Sequence, residues 1–281
     1  MKIGIVGNGF VGKATKILRS DMINMLCYDI NPDLCEPKGL VLKDMSVCDI
    51  IFVSVPTPMN KDGSVCLKIV KSVISNLKTI NYNGFIVIRS TVLPGTSDEL
   101  NVYFMPEFLT EKNFVNDFKT NPLWVFGLLG DKRDSDFKNI IQKLFTLAYE
   151  SKCIDSDKIE WMSNKEAEMV KYFRNTFLSV KVSYCNEIYE YCKEKDINYE
   201  RVRTIAAQDK RIGLSHTLVP GPDGKLGFGG TCFPKDTNGL LSDMKKNNIK
   251  SFILDAAITR NDTHDRSEKD WALDKGRAVV E

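Results

Sequence analysis

The sequence predicts an α/β protein in which an N-terminal Rossmann-type parallel sheet is followed by an all-α domain built on a long central helix. Three observations carry this expectation. From residue 1 to about 155, short apolar and β-branched runs alternate with stretches of helical spacing, the pattern of a parallel sheet with helices on its faces. The first strand runs directly into "GNGFVG", a glycine-rich turn that opens a helix. From Ser163 to Lys195 there is neither glycine nor proline. Apolar residues there recur every three or four positions, at Met169, Val170, Phe173, Phe177, Val180, Tyr184, Ile188 and Tyr191.

In chain order, "KIGIVG" is a short apolar strand, "FVGKATKILRS" a helix and "MLCYD" a second strand. "DIIFVSVP" is continuous, apolar and β-branched, as a strand buried on both faces should be. Residues 65–79 have helical spacing, and "GFIVIRS" is another buried strand. "NVYFMPEF" and "LWVFGLLG" read as two more, with an amphipathic helix near 134–148 after them. The helix over 163–195 would be about 45–50 Å long from its rise per residue. Helices near 198–208, 235–247 and 250–261 follow, with a long loop over 213–231. The expected domains are 1–155 and 156–281.

Composition bounds the function. The 281 residues include 39 basic and 37 acidic side chains, a net charge of +2, so no nucleic-acid or other polyanionic partner is implied. No apolar run approaches the roughly 20 residues that span a bilayer. The opening "MKIGIVGNGF" lacks the layout of a signal peptide. Eight cysteines without a C-x-x-C pair, and only two histidines, argue against a metal site. A cytoplasmic chain with reduced thiols is the expectation.

"GNGFVG" gives G-x-G-x-x-G at Gly7, Gly9 and Gly12, with Phe10 and Val11 inside it. Its position after a strand, and Asp29 at the end of the next strand, make it the dinucleotide fingerprint in its proper context. The helix start would hold the pyrophosphate, and Asp29 the adenosine ribose hydroxyls. A 2′-phosphate would be repelled by that carboxylate, and Ile30 and Asn31 bring no positive charge, so NAD is expected rather than NADP. The bland alternative is a glycine-rich turn with no ligand.

"GFGGTCFPKD", residues 227–236, places Cys232 between a glycine run and a helix start marked by Pro234. A thiol just before a helix N-terminus sits in positive potential, which raises its thiolate fraction. That is the setting of a nucleophile, and a buried cysteine beside a tight turn fits the same letters. Other segments are suggestive. "VPTPMNKDG" and "RSTVLPGT" end buried strands, where ligands of open α/β sheets bind. "PEFLTE" sets Glu107 and Glu111 four apart, and "KYFRN" puts Lys171 and Asn175 on one helix face. Each also has a bland reading, as solvated carboxylates, surface residues or ordinary post-strand threonines.

Together these segments resemble the UDP-glucose/GDP-mannose dehydrogenase family, in the family's order, from residue 1 to about 270. "RIGLSHTLVPGPDGKLGFGG" extends the likeness to the loop with which the family covers sugar and phosphates. The resemblance implies a Rossmann domain joined to a helical dimerisation domain. It also implies a UDP-sugar substrate oxidised twice at C6, from alcohol to aldehyde to acid, with two NAD reduced. Cys232 would attack the aldehyde to give a thiohemiacetal, then a thioester that water hydrolyses. Lys171 would stabilise charge on the C6 oxygen and Asn175 would add a neutral donor. Asp236 would order a water with Thr91. Glu111 would handle the hydrolytic water, with Glu107 in support.

Carried over by motif, the cofactor would be met by the fingerprint residues and Asp29, then by Pro56, Thr57, Ser90, Thr91, Glu111 and Lys235. The substrate would be met by Glu107, Phe108 and Leu109, by Lys171 and Asn175, and by Phe228, Gly229 and Cys232. Arg211 in "KRIG" would reach a partner's substrate across a homodimer. The long helix has more apolar positions than one thin domain can cover, which also points to a dimer. Family members usually continue into a second nucleotide-binding domain, whereas this chain stops at "KGRAVVE". The expectation is a weakly held nucleotide end. Three other readings compete: a GDP-mannose dehydrogenase, a one-step β-hydroxyacid dehydrogenase sharing the Lys-x-x-x-Asn helix, and a non-catalytic NAD-binding remnant.

Overall fold

A computed structural model describes the chain from Met1 to Glu281. Its contacts group into two units, Met1–Thr57 with Leu67–Lys171, and Pro58–Cys66 with Tyr172–Glu281.

The first unit is built on β1 (Lys2–Val6), α1 (Phe10–Thr15), β2 (Asn24–Tyr28), β3 (Ile50–Val53), α2 (Lys68–Thr79) and β4 (Phe85–Ile88). It continues through α3 (Thr96–Leu100), β5 (Tyr103–Phe104), α4 (Phe114–Lys119), β6 (Trp124–Leu128), α5 (Asp134–Glu150) and β7 (Ile159–Ser163). The seven strands lie in the order β2-β1-β3-β4-β5-β6-β7. Chain order reverses at β1, since β2 lies on one side of it and β3 on the other. That reversal is where ligands of such sheets bind, beyond the carboxyl ends of the strands.

Alternation of side chains across the pleat builds two cores. Ile3 and Ile5 of β1 and Ile50 and Phe52 of β3 face the core shared with Leu18, Phe118, Phe137 and Phe145. Val6, Ile51 and Val53 face the opposite core, with Val70, Ile74 and Leu77 of α2. A sheet covered on both faces needs continuous apolar strands, and "IIFV" is buried at all four positions.

Two expectations about the sheet are corrected. It is not wholly parallel, because β5 and β6 run antiparallel, with Phe104 opposite Gly127. Burial makes a strand apolar whichever way it runs, so the sequence pattern carries no direction. The sheet also takes an additional strand, β7, parallel to β6 from Trp124↔Ile159 to Leu128↔Ser163. Its sequence "IEWMS" is only partly buried and lacks the apolar run that marks the inner strands. The expected boundary at 155 falls before it.

The long helix is α6, Asn164–Glu194. Ser163 and Glu166 start it with a capping box: the Glu166 carboxylate accepts from the Ser163 N–H at 2.8 Å, and Ser163 Oγ accepts from the Glu166 N–H at 3.3 Å. It ends where Asp196 turns left-handed (φ 54°) and the Ile197 N–H reaches the Cys192 carbonyl at 2.8 Å. One turn in, the fully buried Glu168 carboxylate accepts the backbone N–H groups of Gly95 (2.5 Å) and Ser97 (2.8 Å), tying the "LPGTS" turn to α6.

Burial pushes Glu168 up from 4.5 to about 7, against those hydrogen bonds. A carboxyl raised in the folded state adds stability that is complete below its unfolded pKa and is lost as pH rises through about 7. Relative to Glu168→Gln, the wild type should therefore lose roughly 2–3 kcal/mol of unfolding free energy between pH 5 and pH 8. Denaturant titrations of both proteins at the two pH values measure this. A difference that stays flat would show that the two N–H donors keep the carboxylate ionised.

The second unit holds the rest of α6 with α7 (Tyr199–Ala206), α8 (Phe233–Lys246) and α9 (Phe252–Arg260). The excursion Pro58–Cys66 joins it through a bridge from Met59 to Val279. Along α6 the buried side is polar: Asn175, Thr176, Ser179, Ser183 and Asn186 are all buried. Thr176 and Ser179 return their hydroxyl protons to carbonyls one turn back, at 2.8 and 2.7 Å, and Ser183 donates to the Ala257 carbonyl of α9. The aromatic stripe Phe173, Phe177, Tyr184 and Tyr191 faces outward instead.

Candidate active site

The fingerprint glycines serve three separate needs. Gly7 has φ +92°, and a Cβ there would lie 2.5 Å from the Ser54 carbonyl oxygen. A Cβ on Gly12 would run into the Gly7 carbonyl, so only glycine lets α1 sit this close to β1. Gly9 has nothing within 4 Å of its missing side chain and is exposed, which leaves the approach to the start of α1 open. Gly9 is the N-cap and no side chain caps the helix, so its first N–H groups remain for a ligand. Phe10 and Val11 are half-buried in that first turn.

Asp29 is held ready at the end of β2. Its carboxylate accepts from the Asn8 N–H at 2.7 Å and from the Asn31 N–H at 2.9 Å. Asn8 Oδ1, beside it, is buried without a hydrogen-bond partner. Lys16 and Arg19 are paired with Glu36, and Ile30 is exposed. An open glycine, uncapped N–H groups and an oriented carboxylate fit a dinucleotide with free ribose hydroxyls. At the ends of the next strands, Pro56 is exposed, while Thr57, Ser90 and Thr91 are buried. Ser90 Oγ donates to the Val55 carbonyl at 2.6 Å.

Lys171 forms an ion pair with Glu107, Nζ to Oε1 at 2.6 Å, with the two side chains only 4% and 5% exposed. The other Glu107 oxygen accepts from the Leu109 N–H at 2.9 Å. Of the two glutamates of "PEFLTE", Glu107 is thus the buried one, and Glu111 sits on an exposed turn. Phe108 and Leu109 between them are half-buried.

One turn further along α6, Asn175 Nδ2 donates to Asp236 Oδ2 at 2.5 Å, and Lys235 Nζ lies 2.5 Å from Asp236 Oδ1. Asp236 is fully buried with each oxygen engaged. It fixes Asn175 and Lys235, a task the motif alone did not suggest for it. Cys232 is the N-cap of α8, half-buried, and its carbonyl accepts the Asp236 N–H at 2.9 Å. None of the eight cysteines is joined in a disulfide. Burial pushes Cys27 and Cys48 up to about 11, which leaves them protonated at neutral pH.

The predicted residues in and just before the loop 213–231 have different surroundings. Phe228 is buried with its ring edge-on to Phe233 at 6.4 Å. Gly229 lies against the Arg266 guanidinium. Arg211 stands 89% exposed, paired with Asp209 at 2.5 Å. Three buried polar residues were not singled out from sequence. Arg89 ends β4 with its guanidinium 2.5 Å from Thr15 Oγ1 and over the Phe118 ring. Asn261 and Arg266 follow α9. A charge closing an apolar run, "IVIRS", was a visible signal for Arg89; the other two carry none. No group of three or more metal-ligating side chains occurs, and no helix is long and apolar enough to cross a membrane.

A Rossmann-type sheet carrying an intact glycine fingerprint and an oriented acidic residue after its second strand defines an NAD-binding domain of the kind found in oxidoreductases. The chain belongs to the UDP-glucose/GDP-mannose dehydrogenase family, matching its NAD binding domain over residues 40–147 and its central domain over residues 165–263. A Bacillus subtilis protein named provisionally as a UDP-glucose 6-dehydrogenase is 30% identical over 94% of this chain and 68% of its own length. The UDP-glucose 6-dehydrogenase of Rickettsia bellii is 31% identical over 78% of this chain and 50% of its own. Among solved structures, a UDP-glucose dehydrogenase from the archaeon Pyrobaculum islandicum superposes with a TM-score of 0.79 at 26% identity, over 93% of this chain and 68% of that one. The chain thus spans about half to two thirds of the length of these relatives.

Proposed function

We propose that this chain oxidises UDP-glucose to UDP-glucuronate in two steps through covalent intermediates on Cys232. The observation that carries the reading is the place of Cys232: it is the N-cap of α8, half-buried, and follows by two positions Gly230, which has nothing within 4 Å of its missing side chain. The second step explains the thiol. An aldehyde carbon has no hydroxyl-bearing tetrahedral form to lose hydride from until a nucleophile adds to it. NAD, held by the fingerprint glycines and Asp29, would supply the acceptor for the hydride in each oxidation.

In this reading the Cys232 thiolate adds to the aldehyde carbon, and the carbonyl oxygen becomes the oxygen of a thiohemiacetal. Loss of hydride leaves a thioester. Water then adds, and the C–S bond breaks to release the acid and return the thiolate. Lys171 donates to the C6 oxygen as negative charge develops on it, and Glu107, 2.6 Å from its Nζ, keeps the ammonium aimed. Asn175 adds a neutral donor, held by Asp236. Asp236, with each oxygen engaged, fixes the donors Asn175 and Lys235, Thr91 serves proton removal, and Glu111 handles the hydrolytic water.

The test is an NADH assay with a panel of nucleotide sugars, counting NADH formed per sugar consumed. Two per UDP-glucose is expected. One per sugar would favour the single-step hydroxyacid chemistry, and a preference for GDP-mannose would reassign the sugar. NAD binding by calorimetry without turnover of any sugar would favour a non-catalytic role.

The same reading makes the protein a homodimer. Phe173 and Phe177 stack in parallel on α6 at 6.2 Å while 63% and 58% exposed. Tyr184 and Tyr191 continue the stripe. Contiguous exposed apolar surface of this kind marks an interface, and Arg211, 89% exposed, would serve a neighbour across it. Sedimentation at micromolar concentration should give twice the chain mass, and a fully active monomer would remove both points.

A further inference from the structure

We propose that Asn261 and Arg266, on the π-helical turn that ends α9, form a clamp that fixes the loop ahead of Cys232 and so sets the reactivity of its thiol. The proposal rests on the thiol mechanism above for its purpose and on the second unit's geometry for its substance.

Residues Asn261–Asp265 form a π turn, with the Arg266 N–H reaching the Asn261 carbonyl at 2.8 Å. The extra residue in such a turn changes which side chains point inward, and these turns recur at functional sites. Here both ends of the turn point at the loop. Asn261, fully buried, meets both backbone groups of Phe228: its Oδ1 accepts the N–H at 2.8 Å and its Nδ2 donates to the carbonyl at 3.1 Å. The preceding Gly227 N–H is taken by Asn186 Oδ1 of α6 at 3.1 Å. Gly227 has φ +65°, and a side chain there would strike Asn261.

Arg266 acts on the next residues. It is 4% exposed, and a Cβ on Gly229 would lie 2.5 Å from its guanidinium carbon. Its guanidinium bridges Asp223 of the loop at 2.5 Å and Asp270 at 2.9 Å. Lys225 of the loop also pairs with Asp270, at 2.8 Å. The clamp is itself anchored, because Arg260 pairs with Glu190 of α6 and with Asp265, both at 3.0 Å.

Two residues, Gly230 and Thr231, separate the clamped Gly229 from Cys232. Gly230, at φ +73°, has nothing near its missing side chain and would move freely if the loop were not held. Asn and Arg suit the task because each offers a rigid planar fork, matched to a peptide group in one case and to carboxylates in the other.

Asn261 and Arg266 are positioning residues. The first oxidation needs no thiol, so loosening the clamp should spare the first NADH and impair the second.

The experiment uses the full chain and two variants. Asn261→Asp keeps the shape and the acceptor but removes the donor to Phe228. Asp223→Asn removes one carboxylate from Arg266 at a half-exposed site and so preserves the fold if the first variant does not. Iodoacetamide labelling across pH, read by mass spectrometry of the Cys232 peptide, reports the thiol without any substrate; Cys66 and Cys153 serve as internal references. In the wild type the labelling midpoint should lie below the free-cysteine value of about 8.5. In the variants it should rise by about one unit. The rate at pH 7 should then fall about threefold rather than tenfold, since a more basic thiolate is also the better nucleophile. Asp223→Glu should restore the wild-type profile. With UDP-glucose, the NADH yield per sugar should drop from two toward one.

A folded Asp223→Asn with an unchanged Cys232 midpoint overturns the proposal. So does a wild-type midpoint at the free-thiol value, or an equal shift at Cys66 and Cys153. A shifted thiol in a protein that oxidises no sugar would keep the clamp and sink the proposed reaction instead.

Discussion

Cys232→Ser is expected to lower formation of the acid from UDP-glucose by at least about three orders of magnitude, the scale on which removal of a covalent nucleophile acts. The first oxidation should survive, giving no more than one NADH per sugar consumed. The reason lies in what α8 can do for each atom. Positive potential at a helix start favours a thiolate over a thiol. A serine hydroxyl is too weak an acid for the same field to ionise. Should the hydroxyl add slowly, the product after hydride loss is an oxygen ester, which hydrolyses less readily than a thioester. Mass spectrometry after mixing with substrate should then show an acyl group on the introduced serine. The exchange costs little packing, because Cys232 is half-buried and caps the helix through its backbone. Unchanged NADH production would remove Cys232 from the mechanism.

The parts of this protein that were legible in the sequence are those specified by local chemistry. Gly7 and Gly12 of the fingerprint are each demanded by a contact within a few residues or one strand away, Gly9 by the open approach to α1, and Asp29 follows from strand spacing. The extent of α6 follows from an uninterrupted 3.6-residue period. What that period could not show is which side faces in. Phe173, Phe177, Tyr184 and Tyr191 form the apolar stripe, yet the structure exposes them and buries Lys171, Asn175, Thr176, Ser179 and Ser183. An apolar period fixes the helix but not whether that stripe is covered within the chain, and a polar face is buried only where other chain segments satisfy it. Those segments are distant. Glu107 lies 64 residues from Lys171, and Asp236 lies 61 from Asn175. The reversed direction of β6 and the clamp of Asn261 on Phe228 are hidden for the same reason: each is settled by a contact between remote segments.

The Lys171–Glu107 pair carries the second large effect. Lys171→Met should destabilise the protein by about 3–5 kcal/mol, because it strands a carboxylate in a site closed to water. Adding Glu107→Gln removes the charge, and the double variant should recover most of the lost stability, since a buried ion pair replaced by matched neutral groups is often close to neutral in energy. Activity should not follow. No neutral side chain at 171 places a positive charge where oxyanion character develops at C6, and losing one such donor costs on the order of 10²–10³ in kcat. Denaturant unfolding and NADH assays on the two single variants and the double variant separate the contributions. Stability restored with activity still absent would assign Lys171 to the chemistry and Glu107 to holding it. Recovery of both together would make the pair a structural tie. Wild-type stability in Lys171→Met alone would mean that water reaches Glu107 and the pair is not sealed.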